Sequence, residues 1–307
     1  MANKITNKYN LPETLVNLAK SRDYSRGKSD RSITQLIDSP RVSILRMAND
    51  NKIEEDVTDT FWANLGSALH HITEKGADDN HIVEERLFLD IDDWTISGAI
   101  DVQKIEDDNS ITVMDYKFTS VWAVKNPKLE WERQLNCYAY LVHKCKNKEI
   151  KELQVVAFLR DWNRNNAKRD QSYPQQQIVV VPVKLWSYDE QRDYLEDRVE
   201  RHREAIQDYA FEKGMSDCTP EERWQREDTY AVKKKKNVRA LKVFDSLEDA
   251  ENFAKDKGDE YEVEERIGMP VRCVDNYCKV NTWYYRIVTG KLSKTFNALT
   301  FFFFLTA

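Results

Sequence analysis

Asp115 and Lys117 stand two residues apart in the run Met114-Asp115-Tyr116-Lys117, and Asp101 closes an earlier apolar run, Ile96-Ser97-Gly98-Ala99-Ile100-Asp101. In extended chain, residues two apart share a face, so Asp115 and Lys117 point the same way. Asp101 ends one strand-like run and Asp115 lies near the end of the next, so their carboxylates can converge. Carboxylates with an ammonium on adjoining strands suit hydrolysis of a phosphodiester. Hard oxygen ligands hold Mg²⁺ or Mn²⁺ against the scissile phosphate, and the metal lowers the pKa of bound water. The ammonium orients or stabilises the attacking hydroxide and the crowded oxyanion. Asp-X-Lys alone is a weak pattern that any surface ion pair at a strand end could produce. Here Ile111, Val113, Met114 and Tyr116 surround the acid, and a charge on a half-buried strand is costly unless it binds something.

Elements that position these residues follow from apolar periodicity. Residues 31–49 and 56–76 are predicted helical, the second carrying Phe61, Leu65, Leu69 and Ile72 at three- and four-residue spacing, with His70 and His71 late on it. Residues 82–89, 94–102 and 111–117 alternate like strands and predict an antiparallel meander. A helix is expected over 129–147, with Leu129, Leu135, Tyr138, Ala139 and Val142 on one face. Strands follow at 153–159 and 177–183, the latter a nearly continuous Ile-Val-Val-Val run that reads as buried. The fold class is therefore α/β, with a mixed central β-sheet flanked by helices.

Ser187 and Glu190 have capping-box spacing and open a long helix to about 212. Thr219-Pro220-Glu221-Glu222 repeats that signal with Pro at the first helical position. A strand at 240–244 and a capped helix from Ser246 to about Lys257 complete a small α+β appendage. The expected organisation is a basic helical segment at 1–50 packed on the core, a core at 51–213, the appendage at 214–290 and an apolar tail at 291–307.

A chain of 307 residues supports one substantial core. Net charge is −6, which argues against a phosphate-bearing partner until its distribution is considered. Residues 1–46 carry nine Lys and Arg against four acids. Lys233 to Lys236 with Arg239 and Lys242 form a second basic run, and Arg160, Arg164, Lys168 and Arg169 a third cluster. Each is also what a solvated surface looks like; together they allow a local phosphate-facing surface. The first thirty residues lack the apolar stretch of a signal peptide, and the expected location is the cytoplasm. Five Cys at irregular spacing fit reduced thiols. The run Phe301 to Leu305 falls far short of the roughly 20 residues of a membrane span and reads as a docking or aggregation-prone end. No phosphate loop ending in Gly-Lys-Ser/Thr is present, so ATP-driven unwinding would need another chain.

An ordered series resembles the PD-(D/E)XK nuclease superfamily, and within it the RecB-like exonucleases with their phage-encoded and CRISPR-associated relatives, over about residues 31–145. The series is Gly66-Ser67-Ala68-Leu69-His70, then Glu84-Glu85, Ile96 to Asp101, Met114 to Lys117, and Gln134-Leu135-Asn136-Cys137-Tyr138-Ala139-Tyr140. The resemblance implies a restriction-endonuclease-like core using Mg²⁺ or Mn²⁺ on DNA. It makes His70 a metal ligand and Asp101 and Asp115 the main carboxylate ligands. Lys117 becomes the catalytic lysine, and the backbone carbonyl of Tyr116 completes the shell. Gln134 and Tyr138 would orient the lysine or touch DNA. Glu84 would support the site, although the doublet leaves Glu84 and Glu85 as alternatives. The segment Ser32 to Arg41 resembles the opening helix of RecB-like nucleases, with Arg41 a candidate phosphate contact.

Cys218, Cys273 and Cys278 partly match the cysteines that hold an iron–sulfur cluster in some relatives, which normally needs four thiolates. Tyr284 stands where a last Cys would fall and Cys137 lies mid-helix, so a cluster is disfavoured; buried free thiols and a three-thiolate zinc site stay open. The functional expectation is a DNA exonuclease in phage recombination, repair or DNA processing, acting at ends beside a separate helicase or a single-strand-binding or annealing protein. A site-specific or structure-specific endonuclease is the alternative within the same chemistry, and a non-catalytic DNA-binding subunit the alternative from another class.

Overall fold

The computed structural model describes residues 4–21 and 27–283. The apolar tail, Tyr284, Arg22 and Arg26 lie outside the described residues.

The segment at 31–49 is not one helix. Arg31 and Ser32 pair as a strand, and a proline, which lacks an N–H, fits only the first turn of a helix, so a new helix starts at Pro40. The first elements in order are β1 (Lys4–Thr6), α1 (Glu13–Lys20), β2 (Arg31–Ser32), α2 (Ile33–Leu36), α3 (Pro40–Asn49), β3 (Glu54–Asp56) and α4 (Phe61–Glu74). Ser32 caps α2 in a reciprocal box with Gln35, and Ser39 caps α3. The two short strands β1 and β3 pair in parallel at the edge of the molecule.

The predicted meander is present as β4 (His81–Ile91), β5 (Trp94–Ile105) and β6 (Ile111–Thr119). After α5 (Val121–Lys125) and α6 (Leu129–Lys146) come β7 (Ile150–Leu159), α7 (Arg164–Arg169), β8 (Ile178–Val183) and α8 (Tyr188–Ala210). The sheet runs β2-β5-β6-β7-β8, with β4 paired to β5. β5 is antiparallel to both β4 and β6, whereas β6 and β7 are parallel, so the sheet is mixed. A parallel pair needs a crossover, and α6 supplies it. The fold is thus mixed α/β with helices flanking a central mixed sheet.

Two elements depart from their expected burial. On α6 every residue from Gln134 to Val142 is buried while Leu129 is exposed, so the helix is enclosed all round rather than along one stripe. The sheet contacts one side of α6, and α2 and α8 contact others. Among the described residues β8 is an edge strand paired only with β7; Val181 is buried but Ile178 and Val180 are exposed, so the apolar run is buried on one face and not throughout. Glycine matters at one place in this layer: a Cβ on Gly98 would lie 2.7 Å from Leu141 and 2.8 Å from Tyr138, so only Gly lets β5 approach α6 this closely.

Beyond α8 the chain forms β9 (Thr229–Lys234), β10 (Lys242–Phe244), α9 (Leu247–Lys257), β11 (Tyr261–Arg266) and α10 (Val271–Val274). Three antiparallel strands in the order β10-β9-β11 carry α9 against them. Thr219 and Glu222 do form a reciprocal box, at 2.9 and 3.2 Å, but only a turn follows, and Trp224 takes a left-handed φ of 53° that ends it. Cys218 and Cys278 are buried with Val42, Leu45, Ala205 and Met215, where they seat the chain after α8 against α3. Among the described residues no helix is long and apolar enough to cross a membrane.

Candidate active site

The antiparallel pairing of β5 with β6 stops at Val102 opposite Met114. The next residues along each strand are Asp101 and Asp115, so both acids sit where the strands part. The Tyr116 N–H donates to Asp101 Oδ2 at 2.8 Å, in place of a ladder bond. On the other side of Asp101, Glu84 in β4 has a φ of 50°, a conformation that a non-glycine residue holds only at a cost of about 1–3 kcal/mol. That turn brings the Glu84 carboxylate to His70, near the end of α4, at 3.2 Å.

His70 Nδ1 also lies 3.5 Å from Asp101 Oδ1. One ligand atom from each of His70, Glu84 and Asp101 lies within 4.8 Å of the other two, and among the described residues no other such trio of His, Cys, Asp or Glu is found. Of the acidic doublet, Glu84 joins this group, while Glu85 is held by Lys146 at 2.5 Å and by Gln103 at 2.7 Å.

Asp115 is held differently. Lys117 Nζ approaches its two oxygens at 2.6 and 2.8 Å, and Gln134 Nε2 donates to it at 3.1 Å. The Gln134 amide also donates to Tyr138 Oη at 2.9 Å, and its oxygen accepts from Lys117 at 3.4 Å. Alternation along β6 explains the division. Asp115 and Lys117 reach Gln134 on α6, whereas Tyr116 and Phe118 reach the rings of His70 and Trp62 on α4.

The electrostatics follow from burial. Asp101 is 9% exposed, and desolvation, reinforced by the neighbouring Asp115 charge, pushes its carboxyl up to about 7. Burial disfavours the charged form of Lys117, but Asp115 and Asp101 outweigh it and raise its pKa, so it stays an ammonium. A hydrogen bond to Glu84 raises the pKa of His70 against burial, with help from Asp101 and Asp115. Two carboxylates and an imidazole with ligand atoms around one point, one carboxylate buried, fit a hard divalent ion. His70, Glu84 and Asp101 would hold it, with Asp115 beside them.

Several basic residues serve other ends. Arg41 is 2% exposed and is engaged by Asp217 at 2.7 Å and the Met215 carbonyl at 2.9 Å, so it anchors the segment after α8 rather than facing a phosphate. Arg31 is buried and lies over the Trp94 ring. Lys233 and Lys234 pair with Glu264 and Glu260. Arg160 keeps its exposed position and lies 4.4 Å over Trp62. Trp62 and Phe118 were not separable from core aromatics by type; the eight-residue spacing from Trp62 to His70 was the available signal.

A mixed sheet whose parting strands bring two acids and an Asp–Lys pair up to a helical His is a candidate site for metal-assisted hydrolysis. Residues 23–263 match the family model of the PD-(D/E)XK nuclease superfamily, and the chain belongs to that superfamily. Membership implies a nucleic-acid substrate. Among solved structures the chain is similar to "Crystal structure of SSO0001", at 16% identity over 61% of this chain and 82% of that chain, with a TM-score of 0.42. No curated protein matches the chain.

Proposed function

We propose that the protein is a Mg²⁺- or Mn²⁺-dependent deoxyribonuclease of RecB-like type, acting as an exonuclease at DNA ends. The observation that carries this reading is the His70, Glu84 and Asp101 trio beside the Asp115–Lys117 pair. The ordered series from Gly66 to Tyr140 supports the RecB-like assignment, and with it work in phage recombination, repair or DNA processing in the cytoplasm beside a separate helicase or annealing protein.

In this mechanism the bound cation supplies Lewis-acid polarisation of the scissile phosphate and a water of lowered pKa. His70, Glu84 and Asp101 would hold it, with Asp115 and the Tyr116 carbonyl placed to complete its shell. Lys117, fixed by Asp115 and Gln134, holds its ammonium beside the attacking oxygen and the charge that grows on the phosphate. The Asp115 and Asp101 charges that raise its pKa against burial favour an electrostatic role over that of a base. Tyr138, packed on Gly98, locks the Gln134 amide and so the lysine.

The test is Mg²⁺-dependent digestion of linear and closed circular DNA of the same sequence. Loss of the linear form with survival of the circle is expected. Cutting of the circle makes the protein an endonuclease, and binding without cleavage of either makes it a non-catalytic subunit.

A further inference from the structure

Among the described α-helices only α4 and the single-turn α10 bury no residue, and α4 does so over fourteen residues although it carries Phe61, Trp62, Leu65 and Ile72. Trp62, Gly66 and His70 recur at four-residue intervals and so form one stripe along it. Gly66 sits mid-helix, where Gly costs about 1 kcal/mol relative to Ala. Among the described residues no contact repays that cost, since a Cβ built there meets nothing within 4 Å.

At one end of the stripe is the metal-ligand cluster. At the other, Trp62 is 51% exposed, flanked by Phe61 at 4.8 Å between ring centres and by Phe118 at 6.0 Å. The Arg160 guanidinium lies 4.4 Å from its ring centre and adds positive charge to the same spot. Tyr116 closes the row, 6.3 Å from the His70 ring. A flat, half-exposed ring with a cation on it, joined to the site by a strip free of side chain, is how proteins bind single-stranded nucleic acid, whose bases stack and whose phosphates need charge.

We propose that Trp62 and Arg160 form a stacking subsite for one single DNA strand, which runs over Gly66 to the site at His70. Eight helical residues span about 12 Å. At about 3.4 Å per stacked nucleotide this is roughly three nucleotides from the scissile phosphate. A single strand fits because a base inside a duplex has no free face to offer the ring. The inference rests on the nuclease reading and names the form of its substrate.

The experiment measures fluorescence anisotropy of a labelled oligo-dT of about 16 nucleotides and of a duplex, without divalent metal. Alongside it runs Mn²⁺-dependent hydrolysis of thymidine 5′-p-nitrophenyl phosphate, which is too small to reach Trp62. Trp62→Ala is expected to weaken oligo-dT binding by about 10- to 100-fold, the worth of one stacked base, and to leave small-substrate hydrolysis unchanged. Trp62→Phe should restore most of the affinity. Gly66→Gln should match the loss seen with Trp62→Ala at an undiminished melting temperature, and it reads on the proposal even if Trp62→Ala does not fold. Arg160→Gln should lower the slope of log affinity against log salt by about 0.7. Unchanged oligo-dT binding in Trp62→Ala and Gly66→Gln overturns the proposal and leaves the aromatic face to a protein partner. Absence of hydrolysis of any substrate by the wild type overturns the nuclease reading instead, with the binding series unaffected.

Discussion

The Tyr116 N–H donates to Asp101 Oδ2 at 2.8 Å, just past the last paired position between β5 and β6, Val102 opposite Met114. A side chain thus takes over from the ladder, and the strands separate without leaving the buried amide unsatisfied. The opening between them is where the acids collect. Asp101 therefore has two duties, closing the strand junction and carrying charge to the cluster.

Those duties separate in Asp101→Asn. The amide oxygen can still accept from Tyr116, and loss of the charge relieves the repulsion from Asp115 that helps raise the Asp101 carboxyl to about 7. Metal-free Asp101→Asn should melt at or above the wild-type temperature. Mn²⁺ affinity by calorimetry should fall by more than about 100-fold, beyond what loss of an outer partner causes.

Glu84 holds a left-handed backbone inside a strand, with φ of 50°. Glu84→Gly removes that strain at once with the carboxylate. In chelator the variant should be about 1 kcal/mol more stable than wild type by urea denaturation, yet bind Mn²⁺ more weakly. A loss of stability would show that the conformation is not strained.

Gln134 joins Asp115, Lys117 and Tyr138 through one amide. Gln134→Leu keeps the buried volume and removes one of the two groups that hold the lysine, leaving Asp115. It should lower kcat by about 10- to 100-fold with KM nearly unchanged, as expected when an aligned electrostatic group loosens. A rise in KM alone would mean that Gln134 serves binding.

Stability should also depend on His202. It is fully buried, and burial, then the Arg198 charge, lowers its pKa from 6.5 to about 4. Above pH 6.5 both folded and unfolded imidazoles are neutral and the linkage vanishes. As pH falls through 6.5 the unfolded chain takes up a proton that the folded chain refuses until about 4, so stability drops across that window by about 3 kcal/mol. His202→Gln should flatten this part of the curve of unfolding free energy against pH.

Much of the site could be read from local pattern. Alternation along 111–117 placed Asp115 and Lys117 together, and the structure has them 2.6 Å apart. The meander was legible because each strand repeats a two-residue period. Tertiary surroundings were not. Nothing local tells Arg41 that Asp217 will neutralise it, or tells Ile178 and Val180 that no strand will cover them. The Thr219 box formed its bonds without a helix, since a cap cannot supply the residues that must follow. Glu84 was separable from Glu85 only once its backbone turned, a consequence of three strands meeting and not of the doublet itself.

End-labelled linear DNA incubated at fixed Mg²⁺ with wild type, Asp115→Asn and Lys117→Met tests the account most directly. Wild type should shorten the DNA, chelator should stop it, and both variants should be inactive while melting as cooperatively as wild type. Undiminished cleavage by the folded variants, or cleavage that survives chelation, would contradict it.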